Sequence, residues 1–179
     1  MIIRLLQPSD DRSRFSCGDP DYDDFIRKYA GRNDFRHHVG RTLVVVDDER
    51  VIAYATFTLG EMAVDALPQP ARHGLPRYPL PVLRLVRLAV DARYSGAGMG
   101  AMLVSRVLAL ALQLRDRFGC VTVVVDALRA RQPFYERLGF ECADVVLGKP
   151  RVAGTVLMTL PLSYADAATR LACEQRDPE

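Results

Sequence analysis

Histidine and cysteine are scarce in this 179-residue chain, and neither is spaced for metal chemistry. The four cysteines, Cys17, Cys120, Cys142 and Cys173, lie far apart, with no Cys-x-x-Cys pair and no histidine at ligand spacing. Neither a zinc site nor a disulfide framework follows. The three histidines, His37, His38 and His73, fall in polar or proline-rich stretches and read as surface residues. A long apolar run is also missing. The most apolar stretch, Met99 to Leu114, is broken by Ser105, Arg106 and Gln113, short of the roughly 18 uninterrupted residues a membrane span needs. Near the start, Arg4, Asp10, Asp11 and Arg12 interrupt the apolar segment a signal peptide requires. The expectation is a soluble, cytoplasmic protein without a membrane partner. Net charge is almost absent as well: 24 Lys and Arg against 22 Asp and Glu leave +2, which argues against a chain that coats nucleic acid but leaves room for a local basic face. No glycine turn is followed by Gly-Lys-Ser/Thr, so a Walker A loop is excluded. Internal repeats and low-complexity segments are lacking too.

What is present suits one globular domain. Hydrophobic residues make up 49% and charged residues 26%, outside the regime of disorder and sufficient for a core. The reading is an α/β domain over 1–162 followed by an Ala-rich helix or tail over 163–179. Ile2 to Leu6 reads as a strand. Asp19-Pro20 then starts a helix with a capping Asp and acidic residues in its first turn. Tyr22, Phe25, Ile26, Tyr29 and Ala30 give it one buried face, and Gly31 is expected to end it. Thr42 to Val46 and Val51 to Leu59, joined by Asp48-Glu49-Arg50, read as a β-hairpin. Five prolines between Gly60 and Pro81 predict a long surface loop. Val82 to Val90 is extended, with Arg84 and Arg87 on opposite faces. A glycine turn and a helix to about Arg117 follow, then a buried strand from Cys120 to Val125. A short helix from Pro133 to Leu138 and strands at Phe140 and Thr155 to Leu160 complete the pattern.

The turn Asp91-Ala92-Arg93-Tyr94-Ser95-Gly96-Ala97-Gly98-Met99-Gly100, between a strand and a helix, is the centre of the sequence. Such a turn offers unpaired N–H groups and the positive end of a helix dipole, which suits a phosphate or diphosphate. Close packing of helix on strand would also explain small residues there. Gly96-x-Gly98-x-x-Ala101 matches the dinucleotide fingerprint as well, with Asp126 ending the next strand. Against it, five residues separate Val90 from Gly96, and a helix and hairpin come first.

Arg93-x-x-Gly96-x-Gly98, after Leu88-Ala89-Val90 and before a helix, resembles the [Gln/Arg]-x-x-Gly-x-[Gly/Ala] acyl-CoA motif of the GNAT N-acetyltransferases. Pro133-Phe134-Tyr135-Glu136-Arg137-Leu138-Gly139-Phe140 resembles the second signature of that superfamily, Phe-Tyr-x-x-x-Gly-Phe. Phe15-x-Cys17-Gly18 and Arg87-Leu88-Ala89-Val90-Asp91 further resemble the acetyltransferase toxins of bacterial toxin–antitoxin pairs, which acetylate aminoacyl-tRNA.

The resemblance implies a mixed, mostly antiparallel sheet, splayed at the acetyl-CoA strand and flanked by helices. It implies acetyl-CoA as cosubstrate with no metal, aminoacyl-tRNA as acceptor, a small antitoxin as partner, and a homodimer as a common assembly. A small amine or peptide acceptor, or a non-catalytic acetyl-CoA-binding module, are the alternatives. On this reading Leu88, Ala89 and Val90 pair with the pantetheine arm, and Ser95, Gly96, Ala97, Gly98, Met99, Gly100 and Ala101 hold the diphosphate, with Arg93 adding charge. Arg87 is the candidate substrate contact, Phe134 packs beneath Tyr135, and Tyr135 is the general acid, a phenol being protonated at neutral pH and matched to a leaving thiolate. No general base stands out; Glu61, Asp65 and Asp91 read as solvated carboxylates. Arg32, Arg36, Arg41, Arg84, Arg87, Arg93 and Arg129 to Arg131 are candidates for a face that meets RNA phosphates.

Overall fold

A computed structural model describes residues 1–143 and 153–164, so 165–179 of the expected tail, with Cys173, lies outside them. The elements are β1 (Ile2–Leu5), a helical stretch α1 over 20–37, β2 (Arg41–Asp47), β3 (Arg50–Met62) and α2 (Gln69–Arg72). They continue as β4 (Leu80–Val90), α3 (Met99–Phe118), β5 (Thr122–Leu128), α4 (Gln132–Glu136), β6 (Glu141–Cys142) and β7 (Thr155–Pro161). The strands form a mixed, mostly antiparallel seven-stranded sheet in the order β1-β2-β3-β4-β5-β7-β6. The chain divides into two compact units, Met1–Leu59 with Leu85–Leu110, and Gly60–Arg84 with Ala111–Glu179.

In the first unit, α1 starts as its sequence predicts: the Asp19 carboxylate accepts from the Asp21 N–H at 3.0 Å, and Pro20 occupies the first turn. Gly31 does not end it. The helical stretch runs on to His37 and stops at His38, where φ is 51°. A Cβ on Gly31 would stand 2.7 Å from Nη1 of Arg12, so this glycine makes room for a crossing side chain. Two turns are wide, with the Ala30 N–H bonded to the Phe25 carbonyl and the His38 N–H to that of Asn33. Phe25, Ile26 and Ala30 are buried with Leu6, Phe15, Val44, Val46, Val51, Tyr54 and Ala89 in one core, while Tyr29 faces outward. Phe15 meets Tyr54 edge-on at 5.3 Å between centroids, and Phe25 stacks on the same ring at 6.0 Å. The predicted hairpin forms, Asp47 opposing Arg50 across Asp48 and Glu49, which both take positive φ. Thr42 to Val46 are buried at every position, so β2 is covered on both faces.

In the second unit, the proline-rich segment departs from the irregular loop its composition suggests. β3 continues to Met62, a 3₁₀ turn spans Val64–Ala66, and α2 carries Pro70 in its first turn, where a missing N–H costs nothing. Ala66, Leu67 and Leu80 are buried there with Met62, Val82, Val124, Ala143 and Leu157. Apolar burial therefore overrides the prolines. β5 and β7 pair antiparallel from Thr122 opposite Pro161 to Leu128 opposite Thr155, and β6 places Glu141 opposite Thr159. No helix among the described residues is long and apolar enough to cross a membrane.

Candidate active site

The strand β4 leaves the first core at Val90, and its exit is fixed by an aspartate. The Asp91 N–H donates to the Ile52 carbonyl and the Ala92 N–H to the Ser16 carbonyl, both at 2.8 Å. The Asp91 side chain is buried and accepts from the Arg93 N–H at 3.1 Å and from the Ser16 N–H at 3.2 Å. Arg93 closes on it with two prongs, Nε to one oxygen and Nη2 to the other, each at 2.9 Å. The Arg93 guanidinium holds the Asp91 carboxyl below the usual carboxylate range, against the opposing effect of burial. Asp91 is thus buried and paired rather than solvated. Its clamp also joins the two segments singled out in the sequence, Phe15 to Gly18 and Arg87 to Asp91. Arg93 spends its guanidinium on this clamp.

Beyond the clamp, Gly96 and Gly98 take φ of 83° and 78°, the left-handed conformation that favours glycine. A Cβ at either would meet no atom within 4 Å, so the turn faces open space. The Ser95 and Ala97 amides bond back within the turn, at 3.3 and 3.4 Å. The Met102 N–H bonds to the Gly98 carbonyl at 3.1 Å, so the N–H groups of Met99, Gly100 and Ala101 precede the helical ladder. No acidic side chain lies in the first turn of α3, which leaves the positive end of a 20-residue helix uncompensated. An open cradle with forward-pointing amides and no competing carboxylate fits a diphosphate.

On β4 itself Ala89 is buried, and Leu88 and Val90 are half-buried. Arg87 lies over the rings of Tyr22 and Phe25, at 5.1 and 4.6 Å from their centroids. Burial raises the Tyr22 phenol and the Arg87 charge opposes it. Cys17 donates its N–H to Asp23 at 2.7 Å, and burial pushes its thiol up to about 11.

In the second unit, Tyr135 is buried on α4 between two rings, Phe134 at 5.0 Å and Phe140 at 5.5 Å, both edge-on. The Phe140 N–H bonds back to the Tyr135 carbonyl at 3.1 Å, and Gly139 at φ 87° permits the reversal. The resemblance implied that Phe134 packs against Tyr135, and the two rings lie 5.0 Å apart. Arg84 is also buried here, its Nη1 2.7 Å from Asp126. Glu61 and Asp65 are exposed, as are His37, His38 and His73. Among the described residues no cluster could hold a metal ion.

The family model of the acetyltransferase (GNAT) domain matches residues 38–142, more than half of the chain. The chain belongs to the GNAT acetyltransferases. As a member it takes acetyl-CoA as its acetyl donor. This GNAT acetyltransferase is 34% identical over 142 residues to the tRNA-acetylating toxin of Mycobacterium tuberculosis, covering 77% of this chain and 82% of that one. Its fold is that of AtaT complexed with acetyl-methionyl-tRNAfMet, with a TM-score of 0.82 and 23% identity over 94% of this chain and 98% of that one. The fold also matches a tyrosine-to-phenylalanine mutant of KacT, at a TM-score of 0.80 and 24% identity over 93% and 98% of the two chains. The GNAT turn and the Tyr135 helix were legible as motifs. The Asp91–Arg93 clamp was not, although an Asp at a strand end two residues before an Arg is the pattern of an Asx turn. The Arg84–Asp126 pair had a signal of its own, since an arginine inside an apolar strand needs a partner.

Proposed function

We propose that this chain moves the acetyl group of acetyl-CoA to the amino group of an aminoacyl-tRNA, as the toxin of a cytoplasmic toxin–antitoxin pair. The observation that carries the reading is the 34% identity to a tRNA-acetylating toxin across most of both chains. The fold shared with AtaT, also solved bound to the C-terminus of the antitoxin AtaR, supports a protein partner.

Bound acetyl-CoA supplies an acetyl group activated as a thioester. The residues of the chain do the rest. The N–H groups at the start of α3 bind the diphosphate, Gly96 and Gly98 let it approach, and the main chain of Leu88 to Val90 lines the pantetheine arm. Tyr135 holds the proton that the departing thiolate takes as the amide C–N bond forms and the C–S bond breaks. Phe134 and Phe140 fix its ring. Arg87, steadied by Tyr22 and Phe25, is the substrate contact. The amine proton goes to water, because the α-amine of an ester is weakly basic and partly neutral at pH 7. That removes the need for a dedicated base, which fits the exposure of Glu61 and Asp65 and the engagement of Asp91.

Incubation with acetyl-CoA and a set of charged tRNAs, read by mass spectrometry of the released aminoacyl group, tests the acceptor. Acetylated product is expected from charged tRNA and little from free amino acids. Turnover of polyamines or peptides with none of charged tRNA would replace the acceptor and leave the acetyl-CoA half intact.

A further inference from the structure

Several of the candidate arginines are engaged inside their own units. Arg41 pairs with Asp34 at 2.8 Å, Arg84 with Asp126, and Arg93 with Asp91, while Arg87 stacks on rings. Arg32 and Arg36 instead share a cleft of about 370 Å³ with three cations that the sequence did not single out, Arg12, Arg27 and Lys28. Pro8, Gly31 and Phe35 complete its lining.

Charge accounting separates these five. Lys28 is paired with Asp24 at 2.8 Å, and Arg27 donates to the Phe15 carbonyl and lies 4.0 Å from Asp23. The guanidiniums of Arg12, Arg32 and Arg36 form neither a hydrogen bond nor an ion pair with any described residue, Arg32 lying only over the Tyr29 ring at 5.2 Å. The carboxylates around them are committed elsewhere. Asp10 takes both prongs of Arg4, Asp11 accepts from Ser13, Asp23 from Ser16 and Cys17, and Asp34 from Arg41 and the Thr42 N–H.

Holding like charges together is unfavourable without a counter-ion, and the backbone is shaped to allow it. Gly31 occupies the interior of a helix, where glycine costs about 1 kcal/mol relative to alanine. Its missing Cβ is the space taken by the Arg12 guanidinium. Both wide turns of α1 carry cleft cations, Arg27 and Lys28 in the first and Arg36 in the second. Lys28, Arg32 and Arg36 recur every four residues along two turns, a row rather than a point. Arg12, Arg32 and Arg36 bring three planar guanidiniums to a cleft whose own lining holds no carboxylate, which matches successive phosphodiesters better than one small anion.

We infer that this cleft docks the phosphate backbone of the tRNA substrate, through residues that belong to none of the acetyl-transfer machinery. The inference rests on the proposed acceptor for the identity of the RNA. The test measures binding of a fluorescent acceptor-stem RNA hairpin by anisotropy, across salt, with the wild type and two variants. In the triple variant Arg12→Gln, Arg32→Gln, Arg36→Gln, affinity at about 0.15 M salt should fall roughly 10²-fold, and the slope of log affinity against log salt should shrink by about 2–3. Acetyl-CoA binding should not change. Gly31→Ala suits a helix and displaces only the Arg12 guanidinium, so it should keep the fold by circular dichroism yet weaken RNA binding several-fold.

Unchanged RNA affinity and salt slope in the triple variant would overturn the inference. So would arginine-dependent capture of an acidic peptide with none of the RNA, which would make the cleft a protein-docking site. If the wild type fails to acetylate charged tRNA but binds the hairpin through these arginines, the acceptor falls and the cleft stands. If it acetylates charged tRNA with the same KM in both forms, the cleft falls and the acceptor stands.

Discussion

Replacing Asp91 by alanine tests whether the clamp at the end of β4 holds this part of the molecule together. The side chain is about 1% exposed and accepts from two main-chain N–H groups, those of Arg93 and Ser16. Each lost bond of this kind removes about 1 kcal/mol, and a donor left partly buried without a partner costs about as much again. The Arg93 side chain is 54% exposed and regains water when released, so nothing is added for the ion pair. The expected loss is therefore about 2–4 kcal/mol, a large share of the roughly 5–15 kcal/mol that holds a domain folded. With m near 2 kcal/mol/M, the urea midpoint should drop by about 1–2 M at constant m. Asp91→Asn keeps one acceptor oxygen and should lose about half as much. The native carboxyl titrates below its unfolded value of about 3.9, so its contribution is complete above that pH and fades as pH falls through the lowered native value. Asp91→Asn should flatten that acid limb. Because the clamp seats the residues just before Gly96, KM for acetyl-CoA should rise in both variants. An unfolding midpoint for Asp91→Ala equal to wild type would refute the reasoning.

Tyr135→Phe should lower kcat by about 10²-fold or more with acetyl-CoA affinity nearly unchanged; a wild-type rate would make Tyr135 a packing residue. Gly98→Val should fold, since a Cβ there meets no atom within 4 Å, at a backbone cost of about 1–2 kcal/mol, while calorimetry finds acetyl-CoA binding abolished. NAD should bind far more weakly than acetyl-CoA to the wild type, and the reverse order would return the turn to the dinucleotide reading. Cys17, with its thiol pushed up to about 11, should react slowly with iodoacetamide at pH 7 and faster only as pH climbs toward that value, followed by intact-protein mass spectrometry.

Short-range signals carried most of the fold. The Asp19 cap, the Asp48-Glu49 turn, the buried β2 and β5 strands and the glycines after α3 and α4 each depend on neighbours within a few residues. Failures came where distant residues decide. Gly31 reads as a terminator until Arg12, far back in the chain, is known to cross it. The proline-rich segment reads as loop until Leu67 and Leu80 are seen in a core with Val124 and Leu157. Asp91 reads as a solvated turn residue until Ser16 arrives from 75 residues away. The basic cleft was half legible: Arg32 and Arg36 were candidates for a phosphate-binding face, but that Arg12 reaches them across Gly31, and which arginines are left over, is shown only by the folded arrangement.

Each unit is discontinuous along the chain, and this governs the order in which the protein can be made. Met1–Leu59 cannot be completed until Leu85–Leu110 has been synthesised, and Gly60–Arg84 waits for segments beyond Ala111. At about 5–20 residues per second, the emerging N-terminal hairpin spends seconds on the ribosome without β4 or the glycine turn. A chain arrested before Leu85 carries the helical stretch α1 but neither β4 beyond Arg84 nor the glycine turn, so the first unit is incomplete at that point. No single cut in the chain separates the two units, because each is built from two segments that alternate along it.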